Sequence, residues 1–465
     1  MASSRKKPSP DGLAGLLACW LSRHLPDLAQ QVQGRPVHLC VALSGGLDSI
    51  VLLDLLARLR TSTQPAFNLS ALHVHHGLQP CADDWGLFVQ QQCASRNVAC
   101  AVMRVQVAQD AGKGIEAAAR NARYAAFACH AASAGVDAFV LAQHRSDQAE
   151  TVLHHLLRGN GLAGLAAMPA VRTLPGSSAM LWRPLLTESR ATLVAWAEKQ
   201  GLEWVDDPSN ADQRYTRNAI RHAILPVLAG HFPAAEATLA RVAAHAGEAS
   251  ALLADLAATD MIPAVQDGWY EPAQLASLPE RRQRNALRHW LRQQGMVCEA
   301  DAFENLWVSL AGLDSESALE LSVGGYVLRS YRRRLCVTPA SLSTGSSYVL
   351  AGVDNAVAAA MAREHGWSLG IVWQWRRGGL PAETLAGGMR VRLRRAGEHL
   401  RSNGMGRDFK KLCQQAGVPA WQRALLPSLE IDGRLAAIVG VGVDDMFAAA
   451  NGWWPGLVWV SAGEG

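Results

Sequence analysis

The nine cysteines of this 465-residue chain (Cys19, Cys40, Cys81, Cys93, Cys100, Cys129, Cys298, Cys336 and Cys413) include no C-x-x-C pair. That absence excludes the usual cysteine frameworks of zinc ribbons and iron–sulfur clusters. An odd, scattered set argues for reduced thiols in a cytoplasmic protein and against disulfides. No uninterrupted apolar run is long enough to span a bilayer, and Met1 to Asp11 lacks the hydrophobic core of a signal peptide. The expectation is a soluble protein with no membrane partner. Internal repeats and long low-complexity tracts are missing too. Net charge is small, +4, which permits a nucleic-acid partner without requiring one. The length predicts about three domains.

What is present is concentrated first in Val41 to Asp54, VALSGGLDSIVLLD. An apolar run with strand character meets a turn made of Ser44, Gly45, Gly46, Leu47, Asp48 and Ser49, and helical spacing resumes from Ile50 to Leu59. Two glycines let the backbone approach an anion, and the hydroxyls and amides at the helix start meet it with the positive end of the dipole. The site should hold phosphate. A Walker loop would carry a lysine here, G-x-x-x-x-G-K-[ST], and none follows. The arrangement instead resembles the PP-loop of enzymes that split ATP into AMP and pyrophosphate.

Leu69–Val74, Ala99–Val107, Ala138–Ala142 and Met180–Trp182 read as further strands, separated by alanine-rich helical stretches. Alternating strands and helices predict an α/β fold with a doubly wound parallel sheet, its ligands at the carboxyl ends of the strands. Residues 1–225 form this domain. Residues 226–340 read as a mainly helical middle domain with a short strand region near Leu319–Val337, and Ser341 to Ser347 as a flexible linker. The stretch 348–386 resists assignment, although Val372–Trp375 has strand character. A small α+β C-terminal domain is expected over 387–465.

Most chemical residues fall just past a strand. His76 and Gly77 follow the second strand in HVHHGLQPCADDW and could line a nucleotide pocket; packing or surface exposure is the plain alternative. In GIEAAARNARY, Glu116, Arg120 and Arg123 share a helix face, so the two guanidiniums could neutralise charge on a phosphate, or form a solvated ion pair with Glu116. In AQHRSDQAET, His144, Asp147 and Glu150 fall within one or two turns; the two carboxylates stand three residues apart and could hold magnesium or an amine, or simply complement the helix dipole. Residues 387–411 carry eight basic residues against two acidic ones, and the middle domain adds Arg281, Arg282, Arg284, Arg288, Arg292, Arg329 and Arg332 to Arg334. Two basic patches beside a nucleotide site favour RNA. Trp290, Tyr331 and Trp421 could stack on bases or belong to the core.

Taken in order, SGGLDS, HVHHGL, GIEAAARNARY, HRSDQAET, LLRGNGLAGL, RPLL and DDPSN resemble the bacterial tRNA(Ile)-lysidine synthase family. The likeness extends to RRQRNALRHWL (281–291) and GRDFKKLCQQAGVPAWQRALLP (406–427). It implies that ATP adenylates the wobble cytidine of a CAU-anticodon isoleucine tRNA, and that the amine of free L-lysine then displaces AMP to give lysidine. It implies ATP binding by Ser44 to Ser49 with His76 and Gly77, and magnesium near Asp48. Arg120 and Arg123 would stabilise charge during adenylation, and Asp147 and Glu150 would position lysine or the metal. Asp48, Arg120, Arg123 and Asp147 form the catalytic set, and Arg288, Arg394, Arg395, Arg407, Lys410 and Lys411 the tRNA contacts. Two departures stand out: Ser146 replaces an aspartate frequent in the family, and Gln79 replaces a basic residue. Among rivals, a cytidine thiolase in its usual form would need paired cysteines, and a small-metabolite synthetase would leave the basic domains without a role. A non-catalytic tRNA-binding protein would not keep these chemical residues.

Overall fold

A computed structural model of the chain describes residues 10–459 apart from 33, 78–81, 107–114, 207–215, 267, 313–318, 396 and 403. It divides into two units, Met1–Leu256 and Ala257–Gly465. Among the described residues no single helix is long and apolar enough to cross a membrane.

The first unit opens with a helix that the sequence reading passed over, α1 (Pro10–Gln31), which buries Leu13, Leu17, Leu21, Leu25 and Leu28 at three- and four-residue spacing. Strands and helices then alternate: β1 (Val37–Ala42), α2 (Leu47–Leu59), β2 (Phe67–His75), α3 (Ala82–Ala94), β3 (Ala99–Arg104), α4 (Ile115–Ala134), β4 (Ala138–Val140), α5 (Arg145–Leu157), α6 (Leu162–Leu165), β5 (Val171–Thr173), β6 (Met180–Trp182) and α7 (Arg190–Gln200). The sheet runs in the order β3-β2-β1-β4-β6-β5. The pairings from β3 to β6 are parallel, as the alternating pattern predicts, and β5 adds an antiparallel edge against β6 that the pattern did not reveal.

Strand β1 is central, and Leu39, Cys40 and Val41 are fully buried, as befits a parallel strand covered on both faces. Its neighbours are β2 on one side and β4 on the other, so the winding reverses between β1 and β4. Ligands of doubly wound sheets bind at this switch point, beyond the carboxyl ends of the strands. The loop after β1 and the start of α5 after β4 flank it. Within the same VALSGGLDSIVLLD stretch, Asp54 serves structure instead: it is 4% exposed and accepts hydrogen bonds from Arg58, Arg96 and Trp196.

In the second unit the helices Glu280–Gln293 and Ala300–Ala311 accompany a five-stranded antiparallel sheet that includes Glu320–Val323, Tyr326–Tyr331 and Arg334–Pro339. Trp290 is fully buried and stacks on Tyr270 with ring centres 5.0 Å apart, so it is a core residue and offers no face to a base. Residues 348–386, unassigned from sequence, contribute to the last domain's sheets: Tyr348–Leu350 pairs with Met389–Leu393, and Leu369–Arg376 pairs along its length with Gly452–Trp459. Trp367, Ile371 and Trp373 join Val391, Leu429 and Val439 in one core. The segment expected to be a flexible linker is fastened to this domain. The Ser343 amide donates to Ser368 Oγ at 2.8 Å and the Ser346 amide to the His365 carbonyl at 2.9 Å. A serine- and glycine-rich composition signalled freedom that these backbone hydrogen bonds remove.

Candidate active site

The loop after β1 is built around Gly45 and the Ser49 hydroxyl. Gly45 has φ +90°, its carbonyl accepts the Val205 amide at 3.0 Å, and a Cβ there would stand 2.9 Å from the Val205 side chain. Only glycine meets both demands. Ser49 Oγ donates to the Gly46 carbonyl at 2.9 Å and accepts the Gly45 amide at 3.2 Å, while Ser44 Oγ accepts the Gly46 amide at 3.3 Å. Gly46 caps α2 in an extended conformation, leaving the first-turn amides of Leu47 and Asp48 as the orphan donors of a helix start. Gly45→Ala is expected to cost about 1–3 kcal/mol through left-handed strain and to abolish nucleotide binding. Thermal melting with and without ATP checks both effects.

Asp48 turns toward the start of α5. One carboxylate oxygen, Oδ1, is buried without a partner, and Oδ2 lies 3.6 Å from Nε2 of His144. His144 is 2% exposed and caps α5. Its Nδ1 accepts the Ser146 amide at 3.2 Å, which places the ring proton on Nε2, facing Asp48 and Asp147. Asp147 Oδ2 accepts the His144 amide at 2.9 Å and closes a capping box. Burial works against a charged imidazole here, but Asp48 and Asp147 outweigh it and raise the pKa of His144 above its ordinary value. The H-R-S-D sequence thus locks a histidine and an aspartate beside the loop by local capping alone.

Arg221 completes the group, and the sequence reading did not single it out. Its Nε donates to Glu150 Oε1 at 2.6 Å, and its Nη2 reaches Asp147 Oδ1 at 2.9 Å and Glu150 Oε2 at 3.0 Å. Glu150 is 3% exposed, and burial raises its pKa although Arg221 opposes the rise. Asp147 and Glu150 are therefore brought together, but onto a guanidinium. Among the described residues no cluster of three or more histidine, cysteine or acidic side chains is arranged around a metal position. The helix Thr216–Ala219 passes into a π turn at Ile220–Ile224, and such bulges are frequent at functional sites. The one local signal for Arg221 was its four-residue spacing from Arg217, which donates to Thr151 Oγ1 at 3.3 Å.

On the other side of β1, burial lowers the pKa of His76, with Arg123, His73 and His75 adding to the effect. The ring accordingly favours its neutral form beside Arg123. Gly77 has φ +66° and is exposed. Arg123 is half-buried on α4 and Arg120 is exposed. Gln79, the DPSN part of WVDDPSN and the Glu116 side chain lie outside the described residues.

Three family models match the chain: a PP-loop domain over residues 21–228, a TilS substrate binding domain over 273–336 and a TilS substrate C-terminal domain over 389–459. The tRNA(Ile)-lysidine synthase of Ralstonia nicotianae is 39% identical over 93% of this chain and 94% of its own length. That of Pseudomonas aeruginosa is 44% identical over 89% and 92%, and that of Azoarcus sp. 40% identical over 90% of each. The chain belongs to the tRNA(Ile)-lysidine synthase family.

Of the two departures expected from the family resemblance, Ser146 lies among the described residues. Its hydroxyl donates to Glu236 Oε2 at 2.9 Å, tying α5 to the helix Ala235–Met261. An aspartate at 146 would face that carboxylate with like charge. The basic residues expected at the tRNA are unequally engaged. Arg288 lies 4.0 Å from the Phe303 ring centre and 3.5 Å from Glu304, and Arg395 is 3.3 Å from Glu430. Arg394 stacks over Phe409 at 4.4 Å, and Arg407 is half-buried. Lys410 and Lys411 are exposed at the start of a helix capped by Asp408. Trp421 stacks on Trp459 and carries Arg329 over its ring at 5.1 Å.

Proposed function

We propose that this chain uses ATP to adenylate the wobble cytidine of CAU-anticodon isoleucine tRNA and then joins free L-lysine to it, yielding lysidine, AMP and pyrophosphate. The observation that carries the reading is the meeting of the PP-loop with Asp48, His144, Asp147, Glu150 and Arg221 at the sheet's switch point. Phosphate-binding backbone and amine-binding carboxylates stand there side by side. In the first half-reaction the cytosine O2 attacks the α-phosphorus of ATP and pyrophosphate leaves. The Ser44–Ser49 loop holds the phosphates, with His76 and Gly77 on the nucleotide side, and Arg120 and Arg123 offset the developing charge. The unpartnered Oδ1 of Asp48 would hold a magnesium ion, and such an ion would supply charge neutralisation to the leaving pyrophosphate. Asp147 and Glu150 already face the Arg221 guanidinium, whose charge disfavours a metal ion beside them.

In the second half-reaction the lysine amine attacks C2 of the cytosine ring and AMP departs. Asp147 and Glu150, held in place by Arg221, offer their remaining lone pairs to lysine as an ammonium ion. Glu150, with its raised pKa, is the better matched group to take a proton from it. Residues 1–225 carry the chemistry. The middle segment 226–340 and the C-terminal segment 387–465 hold the tRNA through Arg288, Arg394, Arg395, Arg407, Lys410 and Lys411, and the reaction takes place in the cytoplasm. The test is incorporation of radiolabelled lysine into a CAU-anticodon isoleucine tRNA transcript with ATP and magnesium. Label retained in that RNA, and absent from methionine tRNA with the same anticodon, is the expected result. AMP release without incorporation would reject lysine as the nucleophile.

A further inference from the structure

A second group of cations lies along the sheet, centred on Arg172 and Arg183, to which none of the steps above assigns a role. Arg183 follows β6 directly and is 3% exposed. Its Nη1 donates to the Pro169 carbonyl at 2.9 Å, and its Nε is buried without a partner. On the antiparallel edge strand β5, the half-buried Arg172 places its guanidinium 5.1 Å from the ring centre of Tyr124, and its Nε is likewise buried and unpartnered. Arg123 approaches the same ring at 6.0 Å. Among the described residues neither Arg172 nor Arg183 has a carboxylate within ion-pair distance.

Buried charge is retained in proteins where it is paired, because desolvation otherwise disfavours it. Arg183 has a single carbonyl, the Tyr124 phenol and two further guanidiniums around it. Burial lowers its pKa; Tyr124 opposes the shift and Arg172 and Arg123 reinforce it. Tyr124 feels the same field in reverse: burial would raise its phenol, and Arg172, Arg183, Arg123 and Arg120 together outweigh that and lower it. The Arg172 and Arg183 guanidiniums, each with an Nε–H that has no partner, are complementary to phosphate oxygens, which accept several charge-assisted hydrogen bonds at once. Arg172 pairs along the ladder with Leu181, the middle residue of β6, and Arg183 is the residue just past that strand's carboxyl end, the side on which sheets of this kind bind their ligands.

We propose that Arg172 and Arg183, with the Tyr124 hydroxyl, form a phosphate-binding site at the sheet edge, filled by the pyrophosphate released from ATP or by a backbone phosphate of the RNA. The RNA arm rests on the function proposed above; the pyrophosphate arm needs only the PP-loop.

The test uses the full chain as wild type, Arg172→Ala and Arg183→Met, with folding checked by thermal melting. The probes are inorganic pyrophosphate, by calorimetry, and the unmodified isoleucine tRNA transcript, by filter binding between 50 and 200 mM salt. If the occupant is pyrophosphate, its affinity falls about tenfold or more in each variant and tRNA binding stays within about twofold. If it is an RNA phosphate, tRNA affinity falls by about that factor, the salt slope loses about one unit, and pyrophosphate binding is unchanged. Affinities within about twofold in both arms, in folded variants, overturn the site. Should Arg183→Met fail to fold, the half-buried Arg172→Ala decides alone. Neither readout requires lysidine formation, so a wild type that incorporates no lysine would count against the activity and leave this site standing.

Discussion

Arg221→Ala is expected to lower the stability of the first unit by about 2–3 kcal/mol at pH 8 and to raise the KM for lysine by about tenfold to a hundredfold. The stability loss follows from Glu150. Its side chain is 4% exposed and its carboxylate depends on the Arg221 guanidinium for compensation. Removing one partner of a buried pair ordinarily costs about 3–5 kcal/mol; here the Arg221 side chain is 38% exposed, and solvent screening reduces the figure. The pH dependence has a definite sign. Burial already raises the folded-state pKa of Glu150 above its unfolded value, and loss of Arg221 raises it further. The ionised form is then penalised in the folded state above that pKa, and the penalty fades as the group protonates. Urea unfolding should therefore show a larger deficit at pH 8 than at pH 5. The KM effect reflects two carboxylates that lose their fixed orientation. An equal deficit at both pH values, or an unchanged KM, would contradict this account.

Asp48→Asn is expected to reduce adenylation, measured as pyrophosphate release in the absence of lysine, by about a hundredfold to a thousandfold. The substitution preserves shape and removes the charge that stands at the loop with one oxygen open. A second consequence appears in stability. Asp48 is the foremost of the groups that raise the His144 pKa against burial. A histidine with a raised folded pKa contributes stability that is fully present below its unfolded value of about 6.5 and is lost as pH rises through the folded value. The variant should thus be less stable than wild type near pH 6, with the gap narrowing by pH 8.5. Denaturant titrations at the two pH values, run beside the rate assay, separate this linkage from a general loss of folding.

The residues of the candidate site were legible where local rules govern them. Ser44 to Ser49 announced a strand, a turn and a helix, and Gly45 adopts the positive φ that a glycine-rich turn allows. His144 and Asp147 are three residues apart in a capping box, a device that works within one helical turn. Arg221 was not legible because it meets Glu150 and Asp147 across 71 and 74 residues of chain. Trp290 shows the opposite failing. Its place in an arginine-rich helix left base stacking open, and only the stacked Tyr270 behind it decides for the core. Residues 348–386 carried little periodicity of their own because their strands are completed by partners far along the chain, at 389–393 and 452–459.

The sequence by itself determined the strand–loop–helix of the PP-loop, the alternation that makes a parallel sheet, and the ordered motifs that mark the family. Each depends on neighbours within a few residues or on the order of segments. The tertiary structure alone decided that Arg221 occupies the paired carboxylates, that His144 stands between Asp48 and Asp147, and that Arg172 and Arg183 converge on Tyr124. These meetings join segments far apart in the chain, and no spacing rule along the chain encodes which distant segments meet.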